Sequence, residues 1–496
     1  MAGRVLPSLP QYRKDGVTRR LCASVHLDEA FAREVDEELT GDRFHALGLT
    51  LGINLVALAR HARAALLRRA VLDRQLAWLS AAFGASLLVA VWGLANGLGS
   101  VVLVGVYGPV IVLGASWWLV HRAEAQAREA AQEVFSNPDK VEKLAPPVDA
   151  AAEAWLQEHS NKRANVLPYV DAAALTNPFV GSGRKIKEVV WQPIDVSKPA
   201  DAPQGGKLTI RPFDAVELHT YVAKEMEALS GLDGLRTKNR LYVLGSNAYL
   251  LPELLPDRTA RPLPKIPSQL VQAGVQSPGA GMRTHLCLER VGDGGKIIVS
   301  MYLRAILSGP SLTWEVAAYA IPPLSGRFRV VDGLPVTPSK RWWSLLRYAN
   351  SRTWPELRGA VGRLRALRRV RRTRANFMAD RRREILDHHI VQDVGATDSL
   401  RERIGDWSEA GYAERIDSQD FLFRLQGGVL VATEKFLKAH NVDTSSFDKA
   451  QANISTQTYN ISGDIHNSAV GNQGHVSNNG PQGQGPSGHG GGAPQP

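Results

Sequence analysis

Two cysteines in 496 residues, Cys22 and Cys287, leave the chain without a disulfide framework or a paired-thiol metal motif. G-x-S-x-G and H-E-x-x-H are both missing, so no nucleophile elbow and no zinc-protease pair is offered. The sequence therefore assigns no catalytic residue, no cofactor and no metal ligand. A net excess of positive charge is also missing outside one place. The formal net charge is +11, but Ser339–Glu384 carries 15 Lys/Arg against 3 acids, so the other 450 residues sum to −1. That excludes a generally basic, polymer-coating protein and leaves one basic segment in a near-neutral chain. The sharpest absence is charge of either sign: Leu76–Val120 holds no Asp, Glu, Lys or Arg in 45 positions. An ordinary soluble architecture is excluded by that run.

A single helix of that length would extend about 68 Å, more than twice a hydrocarbon core of about 30 Å. Two passes fit, Leu76–Leu94 and Val101–Val120, turning at Ala95–Ser100 where Asn and Gly interrupt the run. Trp78, Trp92, Trp117 and Trp118 lie near the four ends, at the level amphipathic rings prefer. Arg60, Arg63, Arg68, Arg69 and Arg74 precede the first pass, and His121, Arg122 and Arg128 follow the second. The connecting loop has no charge. The positive-inside rule then gives a multi-pass protein of a bacterial inner membrane with both termini cytoplasmic. Almost nothing is left outside to sense a ligand. Gly84, Gly93, Gly105 and Gly108 permit close helix packing, either within one hairpin or in a pore-forming homo-oligomer.

The expected fold class is α+β: a flexible arm (1–20), a helical N-terminal domain (21–74), the transmembrane hairpin (75–120) and a charged helix with linker (121–164). A cytoplasmic α+β domain with an antiparallel sheet (165–335) follows, then a basic amphipathic segment (336–384), a helical region (385–449), a short polar β-prone stretch (450–470) and a disordered Gly-rich tail (471–496). Leu27, Phe31, Val35 and Leu39 recur at helical spacing, Leu55, Leu58, Ala62 and Leu66 again, and Phe44–Ala59 reads as helical core. Strands are expected at Lys187–Val196, Lys207–Pro212, Leu241–Gly245, Thr284–Val291, Lys296–Ile306 and Leu312–Ile321, the last three as a meander. Asp214–Leu229 is expected as a helix, as are Ser399–Trp407, Ser418–Arg424 and Val431–Ala439.

The basic segment is the most informative. Lys340, Arg341, Trp342, Trp343, Arg347 and Trp354 interleave cations with indoles, and Pro355 suits a first helical position. Leu357, Val361, Leu364 and Leu367 then recur with Arg363, Arg365, Arg368, Arg369, Arg371, Arg372 and Arg374 among them. Trp and Leu on one face with Arg on another is the pattern of an interfacial helix. For a tethered protein each cation near anionic inner-leaflet lipid adds about 1 kcal/mol. An acidic protein partner ranks second, and nucleic acid, held through phosphate alone, ranks below both, level with a merely solvated helix. Asn177–Lys185 has a phosphate-loop flavour without the G-x-x-x-x-G-K-[ST] spacing, and reads as a turn before a strand. Asp387-His388-His389 has no accompanying cluster and reads as a solvated helix end.

Arg20–Ala23 with Leu27–Phe31, the basic run before the hairpin, Asn177–Gly183 and Leu437–Asp443 resemble a group of actinobacterial, streptomycete-like membrane proteins without assigned chemistry. The resemblance implies a bacterial inner-membrane protein. Streptomycetes also carry cytoplasmic contractile injection systems, and a membrane factor recruiting such a particle would have this layout. The expected function is a non-enzymatic, membrane-anchored scaffold or adaptor that docks a cytosolic partner or assembly. The alternative is a membrane-perturbing effector whose hairpins oligomerise into a pore and cause cell death. Reporter fusions at residues 70, 97 and 125 test the topology: 70 and 125 should report cytoplasm and 97 the outside, and the reverse pattern refutes it.

Overall fold

A computed structural model describes residues 15–160, 164–170, 177–229, 232, 234–292, 295–445 and 447. Most of the N-terminal arm, and the 450–470 stretch with the 471–496 tail, lie outside the described residues. The first apolar repeat divides into α1 (Gly16–Leu27) and α2 (Glu29–Asp36) because Asp28 stops one helix and caps the next. Its carboxylate accepts the backbone N–H groups of Ala30 and Phe31.

Asn54 caps α3 (Leu55–Ala95) by accepting the Ala57 N–H. A turn at Asn96–Leu98 leads into α4 (Gly99–Ser136). Both helices are long and apolar enough to cross a membrane. The helix expected at Asn54–Arg69 and the first pass are one rod of about 62 Å, so each pass continues into a charged stalk. The two helices pack closely. A Cβ at Gly105 would sit 2.5 Å from the Ala90 backbone, and one at Gly108 2.6 Å from Ser86.

Phe44–Ala59 is helical only from Leu55; the stretch before it has no regular structure, with Gly52 at φ +76°. Leu47 and Ile53 enter the helical core, while Leu49 and Leu51 cover the sheet. After α5 (Ala150–Ser160) comes a sheet of seven strands among the described residues: β1 (Val166–Tyr169), β2 (Arg184–Val190), β3 (Ile194–Asp195), β4 (Leu235–Leu244), β5 (Met282–Val291), β6 (Ile298–Ser308) and β7 (Ser311–Ile321). The order is β1-β4-β5-β6-β7-β2, with β3 also on β7. The β5–β6–β7 meander matches the expectation. The sheet is mixed rather than antiparallel, because β1 runs parallel to β4. Pro168 lacks a ladder N–H, which suits β1 to the edge it occupies. Lys207–Pro212 forms no strand.

One sheet face packs Leu288, Met301, Trp314 and Ala318 against Leu218, Val222 and Met226 of α6 (Ala215–Glu227) and Leu425, Val429 and Phe436 of α10 (Tyr412–Ala439). The short α7 (Ser268–Gln276) lies beside β5. The two helices expected within α10 are one. Gly427-Gly428, in the gap between the two expected helices, is a crossing point: a Cβ on Gly428 would lie 2.7 Å from the Met226 sulfur. Residues Pro338–Asp387 form α8, and Ser399–Trp407 is helical only as α9 (Leu400–Arg403). Pro355 lies inside α8 rather than at a helix start, where it removes a backbone donor.

Several imidazoles are buried neutral. Ala305 N–H donates to His219 Nε2 at 3.0 Å, which leaves the His219 proton on Nδ1, facing Asn239 Oδ1 at 3.2 Å. Burial pulls His219 down to about 4, His159 to about 4 and His285 to about 3. Below about pH 6.5 the unfolded chain takes up these protons and the fold does not, so stability is whole above that pH and falls beneath it. The thermal midpoint of the detergent-solubilised full chain should be flat from pH 8 to 7 and drop steadily from 6.5 to 5. A midpoint unchanged at pH 5 contradicts this.

Candidate membrane-interface site

Helix α8 runs about 75 Å as one element, and its sides meet chemically different parts of the hairpin. Asn350 Oδ1 accepts the Trp117 indole N–H at 2.7 Å. Trp354 meets Phe83 edge to face, ring centroids 5.8 Å apart. The Leu357 carbonyl accepts the Ser80 hydroxyl at 2.6 Å. Positions 350, 354 and 357 share one side of a helix, and all three partners belong to the uncharged run. The adjoining side faces the stalk. Ser344 accepts from Arg128 at 2.7 Å, and Tyr348 lies under the same guanidinium. Glu356 pairs with Arg69, and Arg363 reaches Asp73 and Glu356, each at 2.8 Å. Helix α8 thus straddles the level at which the hairpin changes from apolar to charged. Leu72, Leu76, Val112, Val120, Leu357 and Ala360 fill the space between.

The polar half of that junction is an ion cluster of Glu29, Arg69, Asp73, Glu356 and Arg363. Side-chain exposure is 10% for Asp73 and 12% for Glu356, so little water competes for either. Burial works against the Arg69 charge, but Glu356, Asp73 and Glu29 outweigh it and raise its pKa. Sequence reasoning missed this cluster, although a signal existed. Asp73 is the only acid in α3, and Glu356 the only one between residues 338 and 379.

Lys340, Arg347, Arg365, Arg368, Arg369, Arg371 and Arg372 are exposed, as are Trp342, Trp343 and Trp354. Arg341 and Arg374 are half-buried, and Arg363 is committed to the ion cluster. Arg347, Arg358, Arg365, Arg369 and Arg372 follow helical spacing on a side away from the buried Leu345, Ala349, Leu357 and Ala360. Among the described residues none of these five has an ion-pair partner. Trp78, Trp92 and Trp118 are exposed on the hairpin, and Trp117 is half-covered by its bond to Asn350.

Elsewhere, two polar sites are closed upon themselves. Arg240 and Glu289, each 1% exposed, pair at 2.7 Å inside the sheet beside Tyr242 and Cys287. Burial pushes the Cys287 thiol up to about 11, and Cys22 is raised by burial as well, so neither is a ready thiolate. The Asn177–Lys185 loop is the expected turn before a strand, with Gly181 and Gly183 at φ +93° and +90°. Their N–H groups converge on Glu402 Oε1 at 3.0 and 2.7 Å. The anion cradle of that loop is filled by the chain's own carboxylate. Asp387, His388 and His389 are exposed at the end of α8, and no group of three metal-ligating side chains occurs among the described residues.

A family model described as the AbeC-like domain matches residues 190–476. The matched segment opens at the end of β2 and takes in α8 and α10 but not the hairpin. No curated protein and no solved structure matches the chain.

Asp73→Asn or Glu356→Gln should each cost about 2 kcal/mol, since each takes a carboxylate away from both Arg69 and Arg363 in a mostly buried site. The pair should cost less than the sum, because both act on one cluster. Denaturation of the detergent-solubilised full chain measures this, and additive losses would show that the two carboxylates act apart.

Proposed function

We propose, for a chain that belongs to the AbeC-like domain family, a role as a membrane-anchored cytoplasmic scaffold or adaptor. In this reading α3 and α4 cross a bacterial inner membrane as a hairpin with both termini in the cytoplasm. Helix α8 lies at the inner leaflet, and the α+β body meets a cytosolic protein or assembly. The carrying observation is the position of α8 at the apolar-to-charged boundary of the hairpin, with Trp343 and Trp354 exposed and an arginine row facing away from the protein. Anionic lipid suits that row better than nucleic acid does, because the indoles prefer a headgroup level. The partner is bound rather than chemically altered, and a contractile injection particle is one assembly of suitable size.

The rival reading, a pore of oligomerised hairpins, would need a small-residue face on the outside. Gly105 and Gly108 are occupied by the hairpin's own contact, while Gly84 has open space around it. That distribution favours the anchor.

Two measurements on the full chain test the proposal. Hydrogen exchange across residues 338–374 should slow in anionic nanodiscs relative to zwitterionic ones, and replacing Arg347, Arg358, Arg365, Arg369 and Arg372 by Gln should abolish the difference. Affinity capture from detergent-solubilised membranes should recover a cytosolic protein in stoichiometric amount. Repeated recovery of the chain alone, or dye leakage from vesicles that hold it, would replace the adaptor reading.

A further inference from the structure

Directly beneath the uncharged run, α1, α2, α3, α4 and α8 line a pocket of about 320 Å³. Leu72, Val120 and Ala123 line it where the stalk meets that run, and Arg68, Tyr348 and Arg352 also face it. Its carboxylates are already engaged. Glu124 pairs with Arg128 at 2.7 Å, Glu356 with Arg69 and Arg363, and Glu29 with Arg33 and Arg69.

Two guanidinium groups are left over. Arg68 donates to the Gln126 carbonyl at 3.3 Å and to His26 Nδ1 at 2.6 Å, and among the described residues it meets no carboxylate. His26 brings no negative charge. It accepts from Arg68, so its proton lies on Nε2, which donates to His61 Nδ1 at 3.0 Å; His61 in turn donates to the Val141 carbonyl at 2.8 Å. Both imidazoles are therefore neutral, and burial with the nearby Arg68 charge holds His26 down at about 2. Arg352, on α8, is exposed and has no ion pair among the described residues. A half-buried cation without a counter-ion is costly, and an anion entering the pocket would relieve that cost.

We propose that this pocket binds a phosphate group between Arg68 and Arg352, in the cell the headgroup phosphate of an anionic glycerophospholipid. The acyl chains would leave past Leu72 and Val120 toward the apolar run. Arginine suits the task because its planar fork matches phosphate oxygens. The lipid source rests on the membrane reading above, whereas the phosphate contact does not. A lipid held here would join α8, α1 and both hairpin helices at their common level.

The test uses the full chain, purified and delipidated in mild detergent. Native mass spectrometry should find one phosphatidylglycerol retained per chain, with phosphatidylcholine retained at least about tenfold less. Arg352→Gln should lower phosphatidylglycerol retention about tenfold while leaving the lipid-free thermal midpoint unchanged. Arg68→Gln should do the same with a lower midpoint, since it also loses the His26 contact. Inorganic phosphate supplies the other arm: if it displaces the lipid at millimolar concentration, the site is a phosphate site served by soluble anions. Equal retention of the two lipids, or undiminished retention in both variants, overturns the proposal. Because Arg68 and Arg352 lie outside the outward arginine row, loss of leaflet docking and loss of pocket binding are separate results.

Discussion

Two carboxylates hold this molecule's parts in register. Asp73 and Glu356 are each the lone acid in a long stretch of their helix, and each is surrounded by arginine. Their meeting neutralises Arg69 and Arg363 in a place where water is mostly excluded, and it fixes how far along the hairpin α8 can sit. A shift of α8 by one helical turn would carry Glu356 away from Arg69 and leave guanidinium groups facing one another. The apolar contacts above the cluster, Leu357 with Leu72, Leu76 and Val120, tolerate small shifts better, because dispersion is not directional. The ion cluster supplies position and the apolar contacts supply adhesion.

From that fixed point the rest of the architecture follows. One end of α8 begins beside the foot of α4, where Gln132 donates to the Pro335 carbonyl. The other end leads to the strand-like segment that bridges Ala396 to β1 at the sheet edge. Helix α8 is thus the beam between hairpin and body. The body is held by two sheet faces of different character. The α6–α10 face is apolar and close-packed, and the opposite face folds Arg240, Glu289, Tyr242, Cys287 and Tyr302 under Phe179 and Leu49. Arg240 and Glu289 neutralise each other there, and the glycine loop beside them carries Glu402 in its cradle. Helix α8 and the pocket below the apolar run carry guanidinium groups that have no ion pair among the described residues.

Much of this was legible before any fold was known. The uncharged run, the Ala95–Ser100 turn and the β5–β6–β7 meander all rest on local signals: absence of charge, glycine and asparagine, and alternation. The misreadings share a cause. A gap was expected between Arg424 and Val431 and a helix start at Pro355 because propensity is a local quantity, yet packing against Met226 and against the hairpin carries both helices through. β1 was invisible because four residues containing a proline carry almost no strand signal, and only its parallel neighbour β4 makes it a strand.

Composition and periodicity alone determined that the chain has a paired apolar hairpin, one basic amphipathic helix and an α+β body. Those features depend on residues near one another in sequence. Only the tertiary structure decided which arginines are available. Arg363 looked the same as Arg365 in the sequence, but one faces Asp73, 290 positions away, and the other faces outward. A charge is free or committed according to what stands within a few ångströms of it, and that distance is set by the fold.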